Sequence, residues 1–342
     1  MEYITNKHWA KYIKGYIFTG CAIRDKNIVY FCLRKDIPYE KARNLWNSEI
    51  PSQLLCIYLD TPDDPIDYIR IEGFDNPKVG ICLKPKEQGM LASRGDGGFV
   101  KCMGSGSKFP LEKVMPEKEA FPINIKCIDG YAYYVGPGRD IYKRIDIGQW
   151  QQIQNGIPES KFNTDMGFDD LDGFSEQDMY AVGGAGDVWH YNGEIWIPCG
   201  FPSNEQLSAV LCAPDGYVYI GGEGGSLWRG REYQWEKLYH GSSAILLNQL
   251  RWFEDKVWAC DDYRLQCWNG KEMVRPKDGD RNVIASGHMD VRDGILVVAD
   301  DYNVDLYDGT AWHKIVRPYW NLPLQSSKAF SPEEKPPAYG LF

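Results

Sequence analysis

Short apolar runs recur along this chain, most of them bounded by Asp-Gly, Asn-Gly or Gly-rich pairs, a pattern that predicts short β-strands joined by tight turns. Five stretches align with one another: residues 133–142 (YYVGPGRDIY), 180–189 (YAVGGAGDVW) and 219–228 (YIGGEGGSLW), then the variants 257–268 (VWACDDYRLQCW) and 297–307 (VVADDYNVDLY). Their closing aromatics, Tyr142, Trp189, Trp228, Trp268 and Tyr307, are spaced by 47, 39, 40 and 39 residues. Each unit also carries turn pairs at matching places. Asp129-Gly130, Asp215-Gly216 and Asp293-Gly294, with Glu254-Asp255 as a variant, precede the aligned stretch, and Asn192-Gly193, Asn269-Gly270 and Asp308-Gly309 follow it. Such pairs read as type I′ hairpin turns, which need positive φ at both central positions. The unit is therefore strand a, turn, strand b, Gly- or Asp-rich loop, strand c, turn, strand d. Four antiparallel strands in about 40 residues make one blade of a β-propeller.

Two weaker units precede these five. Residues 79–118 supply three of the four strands, and 16–75 offers apolar runs at 16–24, 27–34, 53–59 and 67–73. A helix-like insert at 39–46 interrupts the first unit, and very little helix is expected outside about 38–50. The expected fold is all-β, a propeller of seven four-stranded blades, with six blades and an N-terminal cap as the alternative. Residues 1–78 then form the first blade with its insert and 79–316 the remaining blades. The proline-rich stretch 317–342 is a tail that wraps the surface or is disordered. The repeat resembles the WD-like, YVTN-like and BNR-like propeller class, through the b–c stretches above and Trp150, Trp196, Trp235 and Trp312 on strand d. It lacks the Gly-His…Trp-Asp signature of WD repeats and the Ser-x-Asp-x-Gly-x-Thr-Trp box of sialidases. The resemblance implies a fold and leaves activity open, because propellers host enzymes, lectins and scaffolds alike.

Composition narrows the choice of function. The chain has 342 residues, 38 Lys+Arg against 48 Asp+Glu, and a formal net charge of -10. That balance argues against nucleic acid as a ligand, since phosphate binding needs a cationic surface. No run approaches the ~18 apolar residues of a membrane span, and the N-terminus has no secretory pattern, so the chain reads as cytoplasmic. Ten cysteines are scattered with no C-x-x-C pair, several of them inside apolar runs, and read as reduced thiols packed as small hydrophobes. None of the five histidines stands in a metal-ligand spacing. No nucleophile elbow, phosphate loop or H-E-x-x-H motif appears, so no catalytic residue, metal or cofactor is expected.

One surface carries candidate chemistry. In a meandering blade the b–c loops and the d–a connections emerge at the same end. Asp187, Glu223, Asp261, Asp262, Asp300 and Asp301 are thereby expected on a common rim, joined by Asp165, Asp169, Asp170 and Asp172 from the connection ahead of the fourth blade. Residues 161–200 hold eight carboxylates and one base, Lys161, a local balance of -7. An acidic rim of this kind selects cationic partners and speeds their association. Tyr263 and Tyr302, beside the Asp pairs, are the expected aromatic anchors. The function expected from this reading is a non-enzymatic, protein-binding propeller with an acidic docking face. One instance within that class is a bacterial immunity protein, an antidote to a basic toxin domain. The alternative is a propeller enzyme or lectin acting on a carbohydrate through the central channel.

Overall fold

The computed structural model describes residues 3–317 except 97, 107–109, 116–118, 121, 159–166 and 242–244. Seven antiparallel sheets follow one another, each with four strands in the order a-b-c-d built from contiguous chain, and in the second a short fifth strand, Glu119–Ala120, also pairs with strand b. They span 16–71, 75–113, 124–152, 170–198, 207–239, 249–274 and 288–316, here blades 1 to 7. Their first strands are Tyr16–Asp25, Asp75–Cys82, Asn124–Ile128, Asp170–Ser175, Leu207–Cys212, Gln249–Phe253 and His288–Arg292. Each first strand touches that of the next blade and the seventh touches the first, so the sheets form a closed ring. The fold is a seven-bladed β-propeller.

The second strand of each blade is covered on both faces, which is why these strands read as unbroken apolar runs. In blade 1, Val29, Phe31 and Leu33 pack toward blade 7, while the alternate residues Tyr30 and Cys32 pack toward blade 2. In this way every blade–blade contact acquires its own apolar cluster, and the repeated aromatics sit inside these clusters. Trp189 and Trp196, for example, fill the space between blades 3 and 4. Among the described residues no blade borrows a strand from another. Closure of the ring therefore rests on the contact between blades 7 and 1, where the Phe18 N–H donates to the Asp301 carbonyl at 3.0 Å and an apolar cluster is completed by Ile4 and Ile13, which are 0% and 3% exposed.

Several details differ from the sequence expectation. A short helix, Asn6–Tyr12, lies outside 38–50, within the little helix expected there, with Thr5 capping its first turn. Its apolar residues were too few to announce it. Blade 2 starts at Asp75, before the expected boundary at 79, and its fourth strand is only Glu112–Lys113. Glu112 is buried and accepts two hydrogen bonds from the Arg144 guanidinium, at 2.9 Å and 2.5 Å, and a third from Trp150 Nε1. This network ties blade 2 to blade 3. The a–b turns at Asp129-Gly130 and Asp293-Gly294 have positive φ at both positions, as a type I′ turn requires, and so does Glu254-Asp255. The c–d turns are different. There Asn192, Asn269 and Asp308 each accept two backbone N–H groups on one side-chain oxygen, within four-residue loops, and of each pair only the Gly has positive φ. The tail beyond Arg317 lies outside the described residues.

Candidate partner-binding site

In this topology the a–b and c–d turns leave one end of the ring, and the b–c loops and d–a connections leave the other. The expected rim residues are thus at one end, but the structure divides them into three groups. Asp170, Asp187 and Asp261 are corrected from exposed to buried, at 1%, 6% and 1% exposure. Asp187 is held by Arg139 of the preceding blade at 2.8 and 3.0 Å and by Trp189 Nε1 at 2.7 Å. Asp261 caps the N–H groups of Tyr263 and Arg264 and pairs with the Arg264 side chain at 3.0 Å. A carboxylate placed in a tight b–c loop has unsatisfied N–H groups within reach, and the loop closes on it.

Asp169 and Asp172 line the central cavity, which has a volume of about 590 Å³. The first strands line this cavity with a mixture of apolar and charged residues, Lys126, Asp172, Arg251 and Asp290 among the latter. Many of these groups join neighbouring blades. Asp170 and Asp172 accept the Val210 and Cys212 N–H groups of blade 5, Asp290 accepts the Ile23 N–H of blade 1, and Lys126 pairs with Asp170 at 2.9 Å. Burial raises the carboxyl groups of Asp169 and Asp172 above the usual range. His288, at the entrance, is lowered to about 4 by burial and by Lys78, against the opposing charge of Asp262. The period-two spacing of Asn124 with Lys126, Asp170 with Asp172 and Gln249 with Arg251 was the available sequence signal for this network.

Glu223, Asp262, Asp301, Tyr263 and Tyr302 do reach the surface, with Tyr263 64% and Tyr302 44% exposed, and Asp300 is half-buried. Asp300 spends one oxygen on the N–H groups of Tyr302 and Asn303, the same loop geometry as Asp261. Asp301 is raised by partial desolvation and by its neighbours Asp300, Asp262 and Asp36. These four carboxylates therefore form one acidic cluster across blades 6, 7 and 1. Asp36 follows strand b of blade 1, the position equivalent to Asp261 and Asp300, and the long insert behind it hid that equivalence in the sequence. Glu223 stands apart, on blade 5, and Asp165 and Lys161 lie outside the described residues.

Other chemistry is sparse. Among the described residues no three His, Cys, Asp or Glu side chains converge in a metal-binding group. All ten cysteines are free thiols, eight buried and two half-buried. Burial pushes Cys32 and Cys82 up to about 11 and Cys56 and Cys199 up to about 12, so these thiols are inert in the folded chain. Among the described residues no helix is long and apolar enough to cross a membrane.

No family model matches the sequence. Among solved structures the chain is similar to the WD40 propeller domain of Doa1, with a TM-score of 0.57 and 10% identity over 84% of this chain and 90% of that one. It is also similar to YCF48 bound to a D1 peptide, with a TM-score of 0.56 and 12% identity over 85% and 91% of the two chains. Both likenesses concern the fold. In sequence the chain is 31% identical over 243 residues to the immune protein Tsi7 of Pseudomonas aeruginosa, an alignment covering 69% of this chain and 78% of that protein. On that likeness, the chain belongs to the family of the immune protein Tsi7.

Proposed function

We propose that this chain is an immunity protein that acts in the cytoplasm by binding a toxin, and that the toxin is a cationic domain docked on the rim of blades 6, 7 and 1. The observation that carries the role is the 31% identity with the immune protein Tsi7. The acidic cluster of Asp36, Asp262, Asp300 and Asp301, with Tyr263 and Tyr302 beside it, supports the choice of surface and of partner charge. The carbohydrate alternative finds less support. The cavity carboxylates Asp172 and Asp290, like the buried Asp170 behind them, are engaged in bonds between blades.

The test takes as candidate toxin domain the product of the gene next to the one for this chain. Co-production should restore growth of cells making that domain, and the purified pair should form a complex. Asp36→Lys, Asp262→Lys and Asp301→Lys together should slow association about tenfold or more at low salt, with the difference shrinking as salt screens the rim over about 10 Å at 0.1 M. Glu194→Lys with Glu272→Lys, in c–d loops at the other end, should leave the rate near that of the unaltered protein. No complex with the toxin domain would overturn the immunity reading. A complex indifferent to both sets of reversals would retain that reading and discard the rim.

A further inference from the structure

We infer that the loop between strands b and c of blade 1, residues 36–51, is an anchoring arm. In this inference Tyr39 and Trp46 receive arginine or lysine side chains, with flanking apolar groups, of the cationic domain docked on the rim. The inference rests on the immunity reading above and adds the residues that hold the partner once it has arrived.

The loop is an outlier in the ring. The equivalent loops of blades 6 and 7 occupy only 261–264 and 300–303, whereas this one runs from the end of Ile28–Lys35 to the start of Ser52–Tyr58. None of its residues is buried, and its largest apolar side chains face water, with Trp46 80%, Tyr39 70% and Leu45 38% exposed. Exposed aromatics rimmed by polar groups contribute nothing to a core, and they mark interaction sites. The arm is also held in place. Arg34 donates to the Asn47 side chain at 3.3 Å and to its carbonyl at 2.6 Å. The Trp46 N–H is accepted by the Glu49 carboxylate at 2.7 Å, and the following 3-10 turn, Asn47–Glu49, packs against the first strand of blade 2. Little conformational freedom is left for a partner to remove, which favours tight binding.

Continuity with the acidic cluster selects the occupant. The arm starts at Asp36, which accepts a hydrogen bond from the Tyr302 hydroxyl at 3.1 Å, so arm and acidic rim are one continuous surface. The arm itself carries Glu40 and Glu49 against Lys41 and Arg43, with Glu40 paired to Arg43 at 3.3 Å, so the negative charge that meets a partner is that of the adjoining cluster of Asp36, Asp262, Asp300 and Asp301. An exposed aromatic face is a receptor for a guanidinium or ammonium group. A cationic protein partner fits this chemistry better than an apolar one.

The experiment measures binding of the neighbouring-gene toxin domain to the full chain and to Tyr39→Ala/Trp46→Ala. Melting temperature checks the fold, and the chain's own oligomeric state is recorded for both proteins. The variant should melt with the unaltered chain and bind at least ~30-fold more weakly, the loss lying in faster dissociation and persisting at high salt. Trp46→Phe should recover part of the affinity, and Tyr217→Ala/Tyr233→Ala, at the other end of the ring, should bind normally. If the unaltered chain binds, the rim reversals slow association, and the arm variant stays within threefold, the arm inference is overturned while the immunity reading stands. If the unaltered chain does not bind, both fall. A chain ending at Arg317 should bind like the full chain. Markedly tighter binding by that shortened chain would give the arm to residues 318–342 instead. A dimer of the unaltered chain that the arm variant dissolves would give it to a second copy. Either result overturns the inference.

Discussion

At the scale of single residues, two adjacent carboxylates show how identical chemistry is put to different use. Asp261 is 1% exposed and satisfies two backbone N–H groups and the Arg264 guanidinium, while Asp262 is exposed with one bond, from the Asn248 side-chain amide at 2.6 Å. Removing Asp261 leaves donors without acceptors in a closed loop, so Asp261→Ala should cost about 1–3 kcal/mol. Asp262→Ala should stay within about 0.5 kcal/mol, as exposed loop positions do. Denaturant unfolding of both variants checks this, and equal costs would refute the assignment. Nothing in the sequence distinguishes the two residues, since both stand in the same Asp-Asp pair. The difference is which carboxylate the loop folds around.

At the scale of elements, the first strands combine two tasks, carrying the blade and lining the cavity. Their charged groups are legible as alternation, but their partners lie on neighbouring blades about 40 residues away, as for Asp170 with Val210 and Asp172 with Cys212. His288 on the first strand of blade 7 offers a test. Its value of about 4 in the folded chain is below that of a free histidine. Below pH about 6.5 the unfolded chain takes up a proton that the folded chain refuses, so this contribution to stability is complete above that pH and is lost as the pH falls toward 4. Asp169 and Asp172 are raised and act in the opposite sense, their penalty easing as they protonate in acid. His288→Gln isolates the histidine. Relative to this variant the unaltered protein should lose at most ~3 kcal/mol between pH 7 and 4. A stability difference that stays flat across that range would show that His288 titrates normally.

At the scale of the whole molecule, the ring is a chain of seven similar interfaces, and one of them has no covalent neighbour. Blades 1 and 7 meet through packed side chains and hydrogen bonds, among them those from the Phe18 N–H to the Asp301 carbonyl and from the Ile23 N–H to Asp290, and Ile4, fully buried, belongs to that cluster alone. Ile4→Ala should therefore cost about 2–4 kcal/mol, in the range of large-to-small changes in a core. Hydrogen exchange should show blades 7 and 1 opening first in that variant, and uniform loss of protection around the ring would refute a localised closure. The N-terminal segment was left unassigned by periodicity because its short helix buries little of its own length. Its importance comes from where the last blade arrives.

The sequence by itself determined the propeller architecture, the strand order within the five aligned blades and the end of the ring at which the Asp-rich loops emerge, and it left seven blades or six with a cap. Period-two burial and turn chemistry act between residues close in the chain, so local pattern records them. It did not determine which carboxylates remain free, how the ring closes or where the partner-facing surface gathers. Those outcomes depend on groups brought together from distant blades, as with Asp187 and Arg139, Glu112 and Arg144, or Asp36 and Tyr302. A charged side chain is committed to the interior when an opposite charge or an unsatisfied N–H meets it there, because burying it unpaired costs more than exposing it. Only the tertiary structure supplies that meeting, and with it the division between carboxylates that hold the propeller together and those left to face a partner.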